Sequence, residues 1–353
     1  MAMYDNKQHI NLSDMANAVI SEDRATFSYG KEIPLSSFVS TILKNYHEQA
    51  TASISLRCEE YAGKLTATLG EQANDALLTG LVTAYQAELL DKVNELLAQK
   101  GEGTKVNVCN ESGEILSRLQ DLKFYKEKRG RYLKALLEEY AILPRGVREA
   151  LYYKKELKTI AQAITNKKQL RVVMTRSNNE YYIRPYKVMK DKLGGYNYLL
   201  GYGRKILPDG TLEAEDLFGI RLSRLSDVRE YASRSGVITE KERKFLEQEI
   251  GNRTPQFMVR AAEEILVRMT PKGEEDFKRL LILRPQEYER VDEMCTDEFA
   301  YYKLHCTELQ AEIYFSKFWQ DAVILSPKGL KDRMRAHYQR AYLAYCEEEQ
   351  AED

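Results

Sequence analysis

Histidine is scarce in this chain. Only four occur among 353 residues, and His9, His47, His305 and His337 lie far apart without ligand-like neighbours, so no metal centre is expected. Cysteine is little better represented. Cys58, Cys109, Cys295, Cys306 and Cys346 are scattered, show no CxxC spacing, and at five are an odd number for a disulfide framework. They read as reduced, cytoplasmic thiols. No apolar run approaches the length of a membrane span, and the opening MAMYDNKQHI lacks the apolar core of a secretory leader. Charge of one sign is also missing: 53 Lys and Arg face 54 Asp and Glu, for a net of −1. Near-neutrality argues against wholesale coating of nucleic acid while leaving room for a local patch. No glycine-rich phosphate loop is present; Gly194-Gly195 reads as a hairpin turn. Ser36-Ser37 has no His–Asp pair nearby in sequence. The carboxylates fall mostly in helical charge patterns. The expectation is a protein that is not an enzyme and needs no cofactor.

What is present is organised around Gln169–Tyr231. Short β-rich runs follow one another there: Leu170–Thr175, Tyr181–Val188, Tyr196–Tyr202, Leu217–Leu222 and Asp227–Tyr231. Turn formers divide them, among them Ser177-Asn178-Asn179, Gly194-Gly195 and Pro208-Asp209-Gly210. Several short, regularly punctuated strands predict a small barrel rather than an open α/β sheet. Alternation puts Tyr196, Tyr198, Tyr202 and Arg204 on one strand face with Leu200. Arg221 and Arg224 follow on the next strand and its exit. Between Lys167 and Arg234 the net charge is about +6, so cations concentrate where tyrosines do. Arginine offers phosphate a planar fork of donors, and aromatic rings offer bases a stacking face. The same tyrosines would equally suit a barrel core.

This segment resembles a WYL domain. Asn197-Tyr198-Leu199 stands at the Trp-Tyr-Leu signature, with Asn in place of Trp. Arg221-Leu222-Ser223-Arg224-Leu225 stands at the Arg-x-x-Arg-Ile element, and Pro185 at the strand-ending proline. The resemblance implies an Sm-like, five-stranded barrel that binds nucleic acid or a nucleotide ligand through Tyr198, Arg221 and Arg224, with Arg184 and Arg204 as further positions.

The N-terminal third contains a repeat. His9-Ile10-Asn11-Leu12 precedes helices over Ser13–Ala25 and Ser36–Tyr46; Lys105-Val106-Asn107-Val108 precedes helices over Ser112–Leu122 and Arg129–Tyr140. The second helices align as Phe38/Tyr132, Val39/Leu133, Ile42/Leu136, Leu43/Leu137 and Tyr46/Tyr140, each a core-facing stripe. A repeated strand–helix–helix order suggests duplication and resembles a ribbon-helix-helix fold closed within one chain. Its two strands would pair Ile10–Leu12 against Val106–Val108. Ile10, Leu12, Val106 and Val108 would face the helices, leaving His9, Asn11, Lys105, Asn107 and Cys109 outward. An outward ribbon face can enter a major groove, where Asn11 and Asn107 suit adenine edges and Lys105 suits phosphate. A helical scaffold without DNA contacts fits the same pattern. Residues 51–100 read as an inserted helical hairpin and 146–165 as a helical connector.

After Glu264 the order becomes β-α-β-β-α-β, which reads as a ferredoxin-like split sheet, and Pro327 opens a long final helix. The stretch FSKFWQDAVILSPKGLKDRMRAHYQRAY resembles the extension that follows WYL domains and implies dimerisation. Trp319, the sole tryptophan, is assigned to core in preference to interface.

The expected class is therefore α+β and multidomain. The expected divisions are 1–145 ribbon-helix-helix-like, 146–165 connector, 166–235 barrel and 236–353 C-terminal extension. Three functions compete: a binder of single-stranded RNA, a transcription regulator reading DNA through the ribbon, and a structural partner. In domain order, nearly the whole chain resembles the WYL accessory proteins of type VI-D CRISPR systems. That likeness implies a cytoplasmic homodimer that binds single-stranded RNA and enhances the RNA-guided effector nuclease without catalysis of its own. A regulator that binds DNA through the ribbon, with a nucleotide ligand or single-stranded DNA on the barrel, is the alternative.

Overall fold

Two apolar stripes of the second repeat helices dictate the first part of the architecture. In the computed structural model, which describes residues 7–28, 31–70, 74–191, 194–258 and 263–352, all ten aligned stripe residues are buried. The chain divides into two compact units. One is Met1–Lys158 with Thr175–Ser177 and Ser223–Ser226; the other is Thr159–Met174, Asn178–Leu222 and Asp227–Asp353.

The first unit opens with β1 (Lys7–Asn11), α1 (Asp14–Thr26) and α2 (Leu35–Tyr46). The hairpin α3 (Ile54–Leu69) and α4 (Asp75–Ala98) follows. Then come β2 (Gly103–Asn107), α5 (Asn110–Ser117), α6 (Arg129–Ile142) and α7 (Arg145–Tyr152). α8 (Lys154–Thr165) leads onward. β1 and β2 pair antiparallel, with Lys7 opposite Asn107, His9 opposite Lys105, and Ile10 opposite Thr104. The pairing is thus set further toward Gly103 than Ile10–Leu12 against Val106–Val108. The faces nevertheless alternate as expected: Ile10, Leu12, Val106 and Val108 are buried, and His9, Asn11, Lys105, Asn107 and Cys109 are exposed. Gly130 lets α6 lie against the ribbon, because a Cβ there would sit 2.2 Å from the His9 carbonyl oxygen.

Polar anchors fix this helical layer. Glu138 on α6, almost fully buried, accepts from the Ser13 backbone N–H at 2.6 Å and from Ser13 Oγ at 2.7 Å. Asp23 accepts two bonds from Arg148, at 2.6 and 3.0 Å, and one from the Tyr140 hydroxyl at 2.7 Å. Burial, with Asp23 beside it, raises the Tyr140 phenol well above its ordinary value. The expected helix to Leu122 stops at Ser117 and gives way to a 3₁₀ turn, Gln120–Tyr125. There Asp121 turns inward to accept from the Ser55 N–H and hydroxyl at 2.9 and 2.6 Å, capping the start of α3. The connector also divides in two, α7 and α8.

The second unit holds β3 (Lys168–Met174), β4 (Glu180–Lys190), β5 (Asn197–Ile206), β6 (Asp216–Arg221) and β7 (Leu225–Ser235). They form a five-stranded sheet in the order β6-β5-β4-β3-β7. Leu170, Val172, Ile183 and Leu199 are completely buried. α9 (Glu240–Asn252) begins with a capping box, Thr239 and Glu242 each bonding the other's backbone. Leu246 of α9 and Met258 join Leu200 and Leu217 in a second core. Leu199 and Leu200 are both buried, so β5 is covered on its two faces.

The remainder is β8 (Glu263–Met269), α10 (Pro271–Arg279), β9 (Tyr288–Arg290), β10 (Ala300–Cys306), α11 (Glu308–Phe315), β11 (Ala322–Ser326) and α12 (Lys328–Glu352). Its sheet order, β11-β8-β10-β9, splits both β-α-β units. Phe277, Tyr314, Phe315 and Phe318 fill its core. Trp319 does not join them, which corrects the core assignment: its side chain is 65% exposed. α11 ends at Phe315, Phe315 and Phe318 occupy the apolar places, and Trp319 turns away at a φ of 53°. The architecture is thus α+β and multidomain, with antiparallel strand pairing in each sheet. Among the described residues no helix is long and apolar enough to cross a membrane.

Candidate nucleic-acid interface

The strand register distributes the Tyr and Arg candidates between two places on β5. At its start Tyr198 lies directly opposite Arg221 on β6. At its other end Tyr202 lies opposite Arg184, and Arg204 opposite Tyr182. Six residues of strand separate Tyr198 from Arg204, about 20 Å.

At the start of β5 the Arg221 guanidinium carbon sits 3.2 Å from the centroid of the Tyr196 ring. A guanidinium over an aromatic face is held there by cation–π attraction, so Arg221 and Tyr196 fix each other's position. Tyr198 is partly buried and packs against the Leu200–Leu246–Met258 core under α9. Its ring serves that packing, while its backbone sets the register beside Arg221. Arg224 is exposed at the end of the 3₁₀ turn Leu222–Arg224, and its carbonyl accepts from the Thr175 N–H at 2.9 Å.

The far end of β5 is governed by Arg184. Its Nε donates to Glu215 at 3.0 Å. One terminal nitrogen donates to the Val237 carbonyl at 2.8 Å and Glu242 at 3.1 Å. The other reaches Glu215 at 2.5 Å and Glu242 at 2.7 Å. Guanidinium has five N–H donors, so Arg184 spends all of them inside the fold and none remains for a phosphate. It is a clamp between β4, the segment before β6 and the first turn of α9. The Arg184 hydrogen bonds hold the Glu242 carboxyl down to about 2, with the Thr239 cap adding to the effect. Arg184 also lies 4.9 Å from the Tyr202 ring centroid. The Tyr202 hydroxyl donates to the Glu242 carbonyl at 3.4 Å, and burial raises its pKa.

Arg204 is less committed, 46% exposed and touching Glu215 through Nε at 3.4 Å. It borders a recess of about 320 Å³ shared with Gln169, Tyr182, Arg184, Glu215 and Arg234. Gln169, Tyr182 and Arg234 were not among the sequence candidates. Tyr182 and Arg184 are two apart on one strand and share a face, but their meeting with Arg234 depends on β7 lying beside β3.

On the ribbon, His9, Asn11, Lys105 and Asn107 share the exposed face, and Lys7 joins them opposite Asn107. The face therefore carries two lysines. The Asn107 N–H donates to Ser36 Oγ at 3.1 Å, which ties the ribbon to the start of α2. Among the described residues no group of three His, Cys, Asp or Glu side chains could hold a metal ion.

No known family model matches this sequence, and no curated protein does. Solved structures do. One described as a CRISPR Cas-related protein superposes over 99% of this chain and 96% of its own, with a TM-score of 0.72 and 21% identity. A second, proteasome accessory factor B/C of Arthrobacter aurescens, is matched over 69% of this chain and 37% of its own at 15% identity and a TM-score of 0.31, too low to carry an argument. What the first comparison establishes is the fold, end to end.

Proposed function

We propose that this chain is a CRISPR-associated accessory protein that binds single-stranded RNA and enhances cleavage by a type VI-D effector nuclease, without catalysis of its own. In this reading the five-stranded sheet is an Sm-like WYL barrel, β1 to α6 is a ribbon-helix-helix pseudo-dimer, and β8 to β11 is a ferredoxin-like domain. The observation that carries it is Arg221 held on the Tyr196 ring at the signature end of β5. Unpaired bases can splay out and stack on such a surface, as duplex bases cannot. The end-to-end likeness to a CRISPR Cas-related protein supports the CRISPR association. The exposed Trp319 beside an apolar groove of about 660 Å³ along β11 and α12 supports a homodimer formed through that face.

Binding is measured with single-stranded RNA and random duplex DNA at two salt concentrations. The Arg221→Ala/Arg224→Ala variant is expected to lose about tenfold or more in RNA affinity, and the salt slope counts the phosphates engaged. An unchanged RNA affinity in that variant overturns the reading. Addition to a type VI-D nuclease assay tests the enhancement. A DNA-binding regulator is the second reading, favoured by Lys7, Asn11, Lys105 and Asn107 on one exposed ribbon face. It requires tight duplex binding that Asn11→Ala/Asn107→Ala abolishes.

A further inference from the structure

β9 is the outer strand of the C-terminal sheet, and the loops that flank it are apolar on one side and acidic on the other. The loop from α10 presents Leu281 and Ile282, adjacent in the chain and each 62% exposed. The core fixes that presentation. The Tyr314 hydroxyl donates to the Leu280 carbonyl at 2.7 Å, and Gln310 Nε2 donates to the Leu283 carbonyl at 3.2 Å. Tyr314 and Gln310 are themselves buried, and Leu283 takes the left-handed conformation at a φ of 65°. α11 adds Leu309 and Ile313, both exposed and each one residue before a side chain that holds the loop. An apolar patch held outward marks a surface for a partner, and its rigidity lowers the cost of binding.

Charge indicates the kind of partner. From Leu281 to Phe299 six carboxylates face two arginines, a net of −4. Both arginines are engaged: Arg284 donates to the Phe277 and Lys278 carbonyls at 3.3 Å, and Arg290 pairs with Asp292 and Glu274. Glu289, Glu293, Asp297 and Glu298 are exposed and make no ion pair among the described residues. β9 is three residues long, so its two flanking loops lie about 10 Å apart. Such a surface repels phosphate and attracts Lys and Arg. We propose that this edge docks a basic protein surface bearing an apolar pocket, with Leu281 and Ile282 in the pocket and the carboxylates around it. The RNA-guided nuclease of the proposed function fits that chemistry, because such effectors hold their heteroduplex in a positively charged channel. The inference takes its partner from that reading, but it uses none of the barrel residues and none of those along the β11–α12 groove.

The test titrates the full chain into a type VI-D effector loaded with guide RNA, at low and high salt. Saturable binding is expected, weaker at high salt. Leu281→Ala/Ile282→Ala should weaken it about tenfold or more at either salt. Glu293→Lys/Glu298→Lys should weaken it about tenfold at low salt and less at high salt. All four side chains are exposed, and circular dichroism confirms that the variants fold. Affinity for single-stranded RNA, and the dimer seen by light scattering, should stay as in wild type. No saturable binding, or binding that neither variant weakens, overturns the proposal. Loss of RNA affinity or of the dimer in Leu281→Ala/Ile282→Ala also overturns it, by assigning the edge to RNA or to a second copy. Cleavage enhanced without direct binding removes this surface and leaves the proposed function standing. Binding through this edge without enhancement refutes that function and keeps the surface.

Discussion

Replacing Arg184 by alanine should destabilise the second unit, and the penalty should shrink in acid. The side chain is 13% exposed and holds Glu215 and Glu242, which are 21% and 30% exposed. Breaking a buried pair by removing one partner costs about 3–5 kcal/mol, because the remaining charge stays desolvated. The Glu242 carboxyl offers a second route to the magnitude. Bringing it from 4.5 to about 2 corresponds to about 3 kcal/mol. Solvent reaches nearly a third of that side chain, and screening reduces the figure to about 2 kcal/mol. Together these give about 2–4 kcal/mol for Arg184→Ala at neutral pH.

The sign follows from linkage. Glu242 is depressed in the folded state, so its contribution is complete above the unfolded value of 4.5 and is lost as pH falls through about 2. At pH 3 roughly two-fifths of it survives. Urea unfolding of wild type and variant at pH 7 and pH 3 therefore shows a gap that narrows in acid. Because a chain of several domains need not unfold in two states, hydrogen exchange localises the effect. Protection should fall in β4, β5 and the first turn of α9, and stay unchanged in α6. A gap that is the same at both pH values, or exchange in β4 and β5 that does not accelerate, refutes the clamp.

Asp23→Asn leaves Arg148 and Tyr140 buried without their shared carboxylate, in a site where Asp23 is fully buried and Arg148 nearly so. It should cost about 3–5 kcal/mol, read as loss of helical signal at lower urea, and a loss under about 1 kcal/mol would contradict the assignment. Trp319→Ala removes an exposed side chain, so stability should hold while light scattering shows a shift from dimer toward monomer at micromolar concentration. A wild-type protein that is monomeric under the same conditions removes the proposed face.

Periodicity made much of this fold legible. The five strands of the central sheet, the two ribbon strands and the split C-terminal order all follow from alternation and turn chemistry, which act over neighbouring residues. Helix breaks were less visible. The turn at Gln120–Tyr125 exists because Asp121 caps α3, whose Ser55 is 66 residues away, and nothing local announces that partner. Trp319 misled for a related reason. Composition favours burying a tryptophan, but Phe315 and Phe318 already fill the available space.

The candidate site was legible as composition and not as arrangement. Tyrosines and arginines concentrate between Lys167 and Arg234, yet strand register puts Arg221 and Arg204 at opposite ends of β5. Tyr198 shares the even-numbered face that the sequence indicated, and α9 covers part of that face.

The order of side chains along the chain by itself determined which segments become strands and helices and which of their faces are apolar, since these depend on contacts within a few residues. Only the tertiary structure decided which charges are consumed. The carboxylates that bind Arg184 lie 31 and 58 residues away in sequence. Whether a guanidinium is occupied depends on which groups the folded chain brings within 3 Å of it.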